Sequence, residues 1–358
     1  MFVTDLPNTK SAHLSPEHTE IIRATLPLVG ENIETIARVF YSKMFAAHPE
    51  LLSDLFNRGN QKQGAQQKAL AASVATFAAQ LVDPTAPDPK MMLDRIAHKH
   101  VSLGISPDQY QIVHDNLMAG IVDVLGDAVT PEVAEAWDQV YWLMAEVLIE
   151  HEEKLYASDN VTPGDVFRTA TVTEKKKLNE HVTAYTLTGD FSKPRPGQYT
   201  SVGITLPDGA RQLRQYSIIA GDATYYRIAV LTDGEVSTFL RDHIAIGDSV
   251  DATLAAGNLV LHEGDNPVVL VSSGIGSTPM VGMLSHLAAE ERNRKVTYIH
   301  ADTNEESWAQ REESRNLTAA IADATMDVFF RDAGQRINIA DYDLAGADVY
   351  LCGGVAFL

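Results

Sequence analysis

Cysteine is nearly missing from the chain, with Cys352 alone among 358 residues. No internal disulfide framework can form, and a reducing compartment, the cytoplasm, is the expected location. Long apolar runs are missing too. None approaches the roughly 20 residues that a membrane-crossing helix needs, so no stable membrane insertion is expected. Positive charge is scarce: 28 Lys and Arg stand against 48 Asp and Glu, a formal net charge of −20. That balance excludes nucleic acid as an expected partner and disfavours anionic lipid. Met1 to Ser15 has no basic flank ahead of an apolar core, so no secretory leader is read there. What is present is the make-up of a soluble protein, 45% hydrophobic and 21% charged. The length predicts two or three domains rather than a single core.

As far as about Tyr156 no strand pattern occurs. Leu70, Val74, Phe77 and Leu81 recur at helical spacing, as do Val113, Leu117, Ile121 and Val124. Ser15-Pro16-Glu17 and Thr130-Pro131-Glu132 each place a capping hydroxyl ahead of a helix-tolerant proline. The stretch Ile96 to Tyr110 organises this part. Leu93, Ile96, His100 and Leu103 form an apolar stripe that carries His100 inward, while His98 points to another side. Gly104 supplies a stop, and Ser106-Pro107-Asp108-Gln109 reads as a cap, a first-turn proline and a capping-box glutamine that open the next helix. An inward histidine is either a hydrogen-bonded core residue or a ligand, and spacing alone leaves both open. The same holds for Tyr41 and Phe56 as core aromatics, Gln66 as a surface residue, and Glu152 as part of a solvated acidic helix end.

Ala157 to Asp165 is short, polar and turn-rich, as at a domain join. Beyond it the period becomes two. Strands are expected at Val166–Thr173, Val182–Thr188, Tyr199–Ile204, Gln215–Ile219, Tyr225–Leu231 and Ser249–Leu254, a spacing that makes a small antiparallel barrel. Val268–Ser273 then leads through Gly274-Ile275-Gly276-Ser277-Thr278-Pro279 into a helix. Further strands at Val296–His300, Met326–Phe330 and from Val349 predict a parallel α/β sheet. A glycine turn at a helix start lets backbone approach a pyrophosphate.

The helical part resembles the globin domain of the flavohaemoglobins. The matching pieces are Phe40-Tyr41, Pro49-Glu50-Leu51, Asp54-Leu55-Phe56, Asn60-Gln61, Gly64, Gln66, Lys99-His100 and Gln109-Tyr110. That resemblance implies haem b with His100 as the iron ligand, and Tyr41 and Gln66 as the distal polar pair. Phe56, Leu70 and Lys99 would lie at the haem, with Tyr110 and Glu152 behind the proximal imidazole. A distal phenol stabilises negative charge on a bound gas, and a proximal acid makes the imidazole more electron-donating.

Arg195 to Tyr199, Arg214-Gln215-Tyr216-Ser217 and Gly234-Glu235-Val236-Ser237 are similar, in order, to the FAD barrel of ferredoxin-reductase-like enzymes. By that similarity Tyr199 and these last two runs hold FAD. Gly274, Ile275, Gly276, Ser277, Thr278 and Pro279, with Cys352 and Gly353, hold NAD(P)H. Cys352 reads equally as a buried small hydrophobe, with no nucleophilic role. Asp302 beyond the second sheet strand leans toward NADH, unless Arg331 or Arg336 supplies a cation.

The expected organisation is multidomain: an all-α globin domain over 14–156, an FAD-binding β-barrel over 164–264 and an NAD(P)-binding α/β domain over 265–358. The last is shorter than in the family, whose members continue past the Cys-Gly motif with a helix, a strand and a tail that covers the flavin. The implied activity is nitric oxide dioxygenase. Electrons pass from NAD(P)H through FAD to haem, and O2 and nitric oxide become nitrate in a monomer. Rival readings are an oxygen-binding or gas-sensing haem protein with an impaired reductase, or an NADH oxidase or haem reductase.

Overall fold

A computed structural model describes residues 6–9, 12–54, 65–290 and 293–358, and side chains for all of these except 52–54, 65–68 and 71. Its residues fall into two compact units, Met1–Val166 with Thr205–Leu213, and Phe167–Ile204 with Arg214–Leu358.

In the first unit the described helices are α1 (Pro16–Ala47), α2 (Pro49–Asp54), α3 (Ala65–Val82), α4 (Lys90–Val101), α5 (Gln109–Leu125) and α6 (Pro131–Ser158). Ser15 and Thr130 cap α1 and α6, their hydroxyls accepting from the N–H groups of His18 and Val133. Both bonds satisfy donors that a helix start leaves open. One face of α1 is sealed by Ile22, Val29, Ile36, Phe40 and Met44. That face packs on α3, α5 and α6, while α4 packs on α6. A close crossing lies at Gly120 of α5, where a Cβ would sit 3.3 Å from the Phe40 backbone nitrogen and 3.4 Å from the Ile36 carbonyl. Only a bare backbone fits there comfortably.

The Ser106-to-Gln109 signal is half realised. The Gln109 side chain accepts from the Ser106 N–H at 3.0 Å. The helix itself begins at Gln109, because residues 107 and 108 form a turn.

Six strands close the expected barrel in the order β1-β2-β5-β4-β3-β6. They are β1 (Phe167–Lys177), β2 (Val182–Thr188), β3 (Tyr199–Thr205), β4 (Arg211–Gly221), β5 (Tyr225–Leu231) and β6 (Ser249–Thr253), with α7 (Glu235–His243) after β5. Antiparallel registers run from Val182↔Leu231 to Thr188↔Tyr225, and β1 closes on β6 through Phe167↔Thr253.

A parallel sheet follows, ordered β10-β7-β8-β9. Its strands are β7 (Val268–Ser273), β8 (Val296–Asp302), β9 (Ala324–Phe330) and β10 (Asp348–Cys352), with helices α8 (Ser277–Glu290) and α9 (Arg311–Ala319). Met280, Met283, Leu284 and Leu287 of α8 are fully buried against Val268, Leu270 and Tyr298. A helix this apolar must be covered. At the β10 edge Val349 and Leu351 stay exposed. No helix among the described residues is long and apolar enough to cross a membrane.

Replacing Gly120 with Val forces α1 and α5 apart and is expected to destabilise the protein by about 1–3 kcal/mol. The urea unfolding midpoint, followed by circular dichroism, measures this. An unchanged midpoint contradicts the close crossing.

Candidate functional site

The helices of the first unit enclose a cavity of about 280 Å³. Its wall is almost wholly apolar, with Ile36, Phe40, Leu70, Val113 and Leu148 among its residues, and both Tyr41 and His100 line it. An apolar chamber with one imidazole, His100, and the phenols of Tyr41, Tyr110 and Tyr141 in its wall suits a flat apolar group that needs a single axial nitrogen.

His100 is held from behind. Its Nδ1 lies 2.8 Å from Glu152 Oε1 and 3.1 Å from the Tyr110 hydroxyl, and that hydroxyl donates to the same carboxylate oxygen at 2.6 Å. With Nδ1 committed to the carboxylate, Nε2 is the ring nitrogen left for a metal. Glu152 is only 3% exposed, which removes the reading of a solvated acidic helix end. Two further phenols close the cluster: Tyr141 donates to the Tyr110 carbonyl and Tyr156 to the Ile105 carbonyl, each at 2.6 Å.

Burial pushes the Tyr110 phenol well above its ordinary range, and the negative charge of Glu152 pushes it further. Tyr41, Tyr141 and Tyr156 are raised chiefly by burial as well. Each therefore stays a neutral hydroxyl at working pH, and in Tyr41 a donor is kept at the cavity wall.

Several expectations fall elsewhere. Phe56 lies outside the described residues, and Gln66 sits on α3 with its side chain undescribed. Lys99 is not among the residues lining the cavity. His98 does point away from the chamber, into a buried polar contact that the sequence reading did not include. Its Nε2 is 3.8 Å from Asp94 Oδ1, and the same oxygen lies 2.8 Å from His151 Nε2. The Asp94-to-His98 spacing of four on one helix was the available signal.

In the second unit, Gly234, with φ at 104°, caps α7 without a side chain, and Ser237 Oγ accepts from the Asp233 N–H at 2.8 Å. Val236 and Ser237 are buried and Glu235 is exposed. Glu235 Oε1 meets Arg214 Nη2 at 3.2 Å, so the arginine of the barrel lies at this helix start. Gln215 Nε2 donates to Ser201 Oγ at 2.9 Å. Tyr216 and Ser217 continue β4, and the Tyr199 ring covers Gly257, where a Cβ would lie 2.8 Å away. The three runs singled out in the barrel thus lie on neighbouring elements.

The two segments assigned to a nicotinamide dinucleotide also meet. Gly274–Gly276 is a tight 3₁₀ turn with Gly274 at φ 55°, and Ser277-Thr278-Pro279 opens α8. A Cβ on Gly276 would sit 2.4 Å from the Cys352 carbonyl oxygen and 2.8 Å from Gly353. Ile275 packs in a small apolar cluster with Val281. Cys352 is partly buried and its thiol is pushed up by burial, consistent with an inert small hydrophobe. Arg331 Nη2 donates to Thr303 Oγ1 at 2.9 Å, beside Asp302.

The fold defines a globin-type helical unit followed by a ferredoxin-reductase-like barrel and parallel sheet. Residues 38–148 match the Globin family. The chain is 38% identical to the flavohemoprotein of Deinococcus radiodurans, over 96% of this chain and 91% of that protein. A crystal structure of flavohemoglobin from Malassezia yamatoensis with bound FAD and heme matches with a TM-score of 0.90 at 33% identity, covering 96% of this chain and 93% of that one. The flavohem-like FAD/NAD binding domain of a Vibrio cholerae nitric oxide dioxygenase matches with a TM-score of 0.51 at 30% identity, over 53% of this chain and 88% of that one. The chain belongs to the flavohemoprotein family.

Because the folded chain holds its phenol protons more tightly than the unfolded chain does, the buried tyrosines make stability fall as pH rises past about 10. Below that value their contribution is complete. The urea midpoint is expected to drop between pH 8 and pH 10.5, and less steeply in Tyr110→Phe. Equal slopes in the two proteins contradict this origin.

Proposed function

We propose that this chain is a nitric oxide dioxygenase that uses NAD(P)H. The observation that carries the proposal is that His100, anchored through Glu152, and Tyr41 line one apolar cavity. The relationship to a flavohemoglobin with FAD and heme, and the similarity of 53% of this chain to the flavohem-like FAD/NAD binding domain of a nitric oxide dioxygenase, support it. The three proposed functional domains are 14–156, 164–264 and 265–358, acting in a monomer.

The donor sets fit the three groups. His100 Nε2 would take the iron of haem b, while Leu70 and the other apolar residues of the wall fit the porphyrin. Tyr199, Arg214, Gln215, Tyr216 and Ser217 would hold FAD, together with the backbone of Gly234 to Ser237 at the start of α7. Gly274 to Pro279 with Cys352 and Gly353 would hold NAD(P)H. When bound, these groups supply hydride acceptance, single-electron transfer and gas activation.

The chain's own residues then have definite work. Glu152 accepts the Nδ1 hydrogen of His100, fixing the ring and making Nε2 a stronger donor. Tyr110 supplies the carboxylate with a second hydrogen bond, so the buried anion is not left with one partner. Tyr41, kept protonated by burial, donates to negative charge that develops in the cavity. The apolar wall excludes water from that charge, which strengthens the bond. The net reaction balances as one nitric oxide, one O2 and one electron giving one nitrate, with two nitric oxides consumed per hydride.

The test is to add NADH anaerobically to the FAD- and haem-loaded protein, then admit O2 and nitric oxide while following flavin, haem and nitrate. Flavin bleaching, haem reduction and stoichiometric nitrate are expected. A flavin that stays oxidised, while dithionite still yields an oxygen-binding protein, replaces the proposal with a gas-binding role. Tyr41→Phe is expected to lower nitric oxide turnover by about 100-fold.

His100→Ala is expected to abolish stable haem incorporation, and His98→Ala to leave it intact. Equal haem content per chain in both variants, read from Soret absorbance, refutes the choice of ligand.

A further inference from the structure

We propose that Asp94, His98 and His151 form a binding site for one divalent transition-metal cation of the zinc class, outside the cavity. Among the described residues this is the group whose donor atoms converge for such an ion, all lying within 4.8 Å of one another. Asp94 and His98 are one turn apart on α4, and His151 reaches them from α6. Asp94 and His151 are 7% and 3% exposed, so two of the donors already sit out of water. The His98 side chain, at 13%, forms the corner nearest solvent.

Two of the three donor distances bracket the spacing that zinc needs, and the remaining pair of donors lies within 4.8 Å. Tetrahedral zinc with bonds of about 2.0–2.1 Å holds neighbouring donor atoms roughly 3.3 Å apart. Asp94 Oδ1 lies 2.8 Å from His151 Nε2 and 3.8 Å from His98 Nε2, one on each side of that value. Two imidazoles and a carboxylate select zinc, nickel or cobalt over magnesium or calcium, which prefer oxygen donors throughout. The fourth position, at the His98 corner, falls to water. On coordination Nε2 of His151 gives up its hydrogen, which moves to Nδ1 in a neutral ring or is released as one proton from a charged ring, so that His151 binds as a neutral imidazole and a metal bond replaces its hydrogen bond to Asp94.

The cation joins α4 to α6, the helices that also meet through His100 and Glu152. His98 precedes His100 by two residues, and His151 directly precedes Glu152. A bound ion therefore acts as a second clamp on the helix pair that orients the proximal imidazole.

The experiment uses the full chain, loaded with haem and FAD, stripped with EDTA and dialysed. Zinc chloride is titrated calorimetrically into it, and retained zinc is measured after gel filtration. One zinc per chain is expected, with a rise in melting temperature on zinc addition. His98→Ala alters the least buried corner and should fold, and Asp94→Asn keeps the side-chain volume. Each is expected to weaken zinc binding by at least about 100-fold and to abolish the melting shift, with haem content unchanged in His98→Ala. The chain has 12 histidines, so the variants identify the site. A wild type that retains no zinc, or variants that bind it as tightly as wild type, overturns the proposal.

Discussion

A buried carboxylate sets the terms for the helical unit. Glu152 is almost without solvent, and a carboxylate in that position must be repaid by hydrogen bonds or it is strongly destabilising. The repayment comes from the His100 ring and the Tyr110 hydroxyl. Those residues sit on α4 and α5, so one anion on α6 gathers all three helices at a single point. Tyr141 and Tyr156, also on α6, donate to backbone carbonyls at Tyr110 and Ile105. The turn between α4 and α5 is thus held by α6, and Gly104 at φ 71° supplies its left-handed step. The polar contacts that orient the imidazole are the same ones that place the helices.

In the second unit the controlling constraint is close backbone approach. Gly282 on α8 lies so near β4 that a Cβ would fall 2.6 Å from the Ile218 carbonyl, and Gly276 meets Cys352 in the same manner. Both glycines bring backbone where a side chain would hold it away. The turn after β7 and the end of β10 are drawn together because β10 pairs beside β7 in register, Asp348 with Val268 and Cys352 with Ser272. The turn after β7 and the end of β10, far apart in sequence, become neighbours through strand order.

Elements whose pattern depends on neighbours in the chain were legible. Hydroxyl caps at Ser15 and Thr130, the run Val268–Ser273 and the period-two stretches around β2 and β5 appear as expected. Elements that depend on distant partners were not. β1 extends through Glu174-Lys175-Lys176-Lys177, a charged run that local pattern assigns to a loop. It stays extended because it pairs with β2, and Lys175 Nζ donates to the carbonyls of Arg241 and Ile244 at the end of α7, at 2.7 and 2.6 Å. The run Glu150 to Glu153 misleads in the same way. Two of its residues are exposed, but His151 and Glu152 turn inward, and only their partners on other helices reveal which. Of the site, His100, Tyr41, Tyr110, Glu152 and Leu70 were within reach of spacing and resemblance together. The Asp94 contact needed the fold.

The α4–α6 interface contains two imidazole–carboxylate pairs of opposite sense. α4 lends His100 to Glu152 on α6, and α6 lends His151 to Asp94 on α4, each at 2.8 Å. Adjacent residues on a helix are separated by about 100° of rotation, so His151 and Glu152 leave α6 in different directions and cannot share one contact. A single hydrogen bond between two helices leaves each free to roll about it; two bonds at separate points remove that freedom. Rolling α6 to lengthen one bond must also strain the other, which opposes drift of the carboxylate behind His100. The His100 imidazole is therefore oriented by Glu152, and Glu152 is held in place by the neighbouring pair.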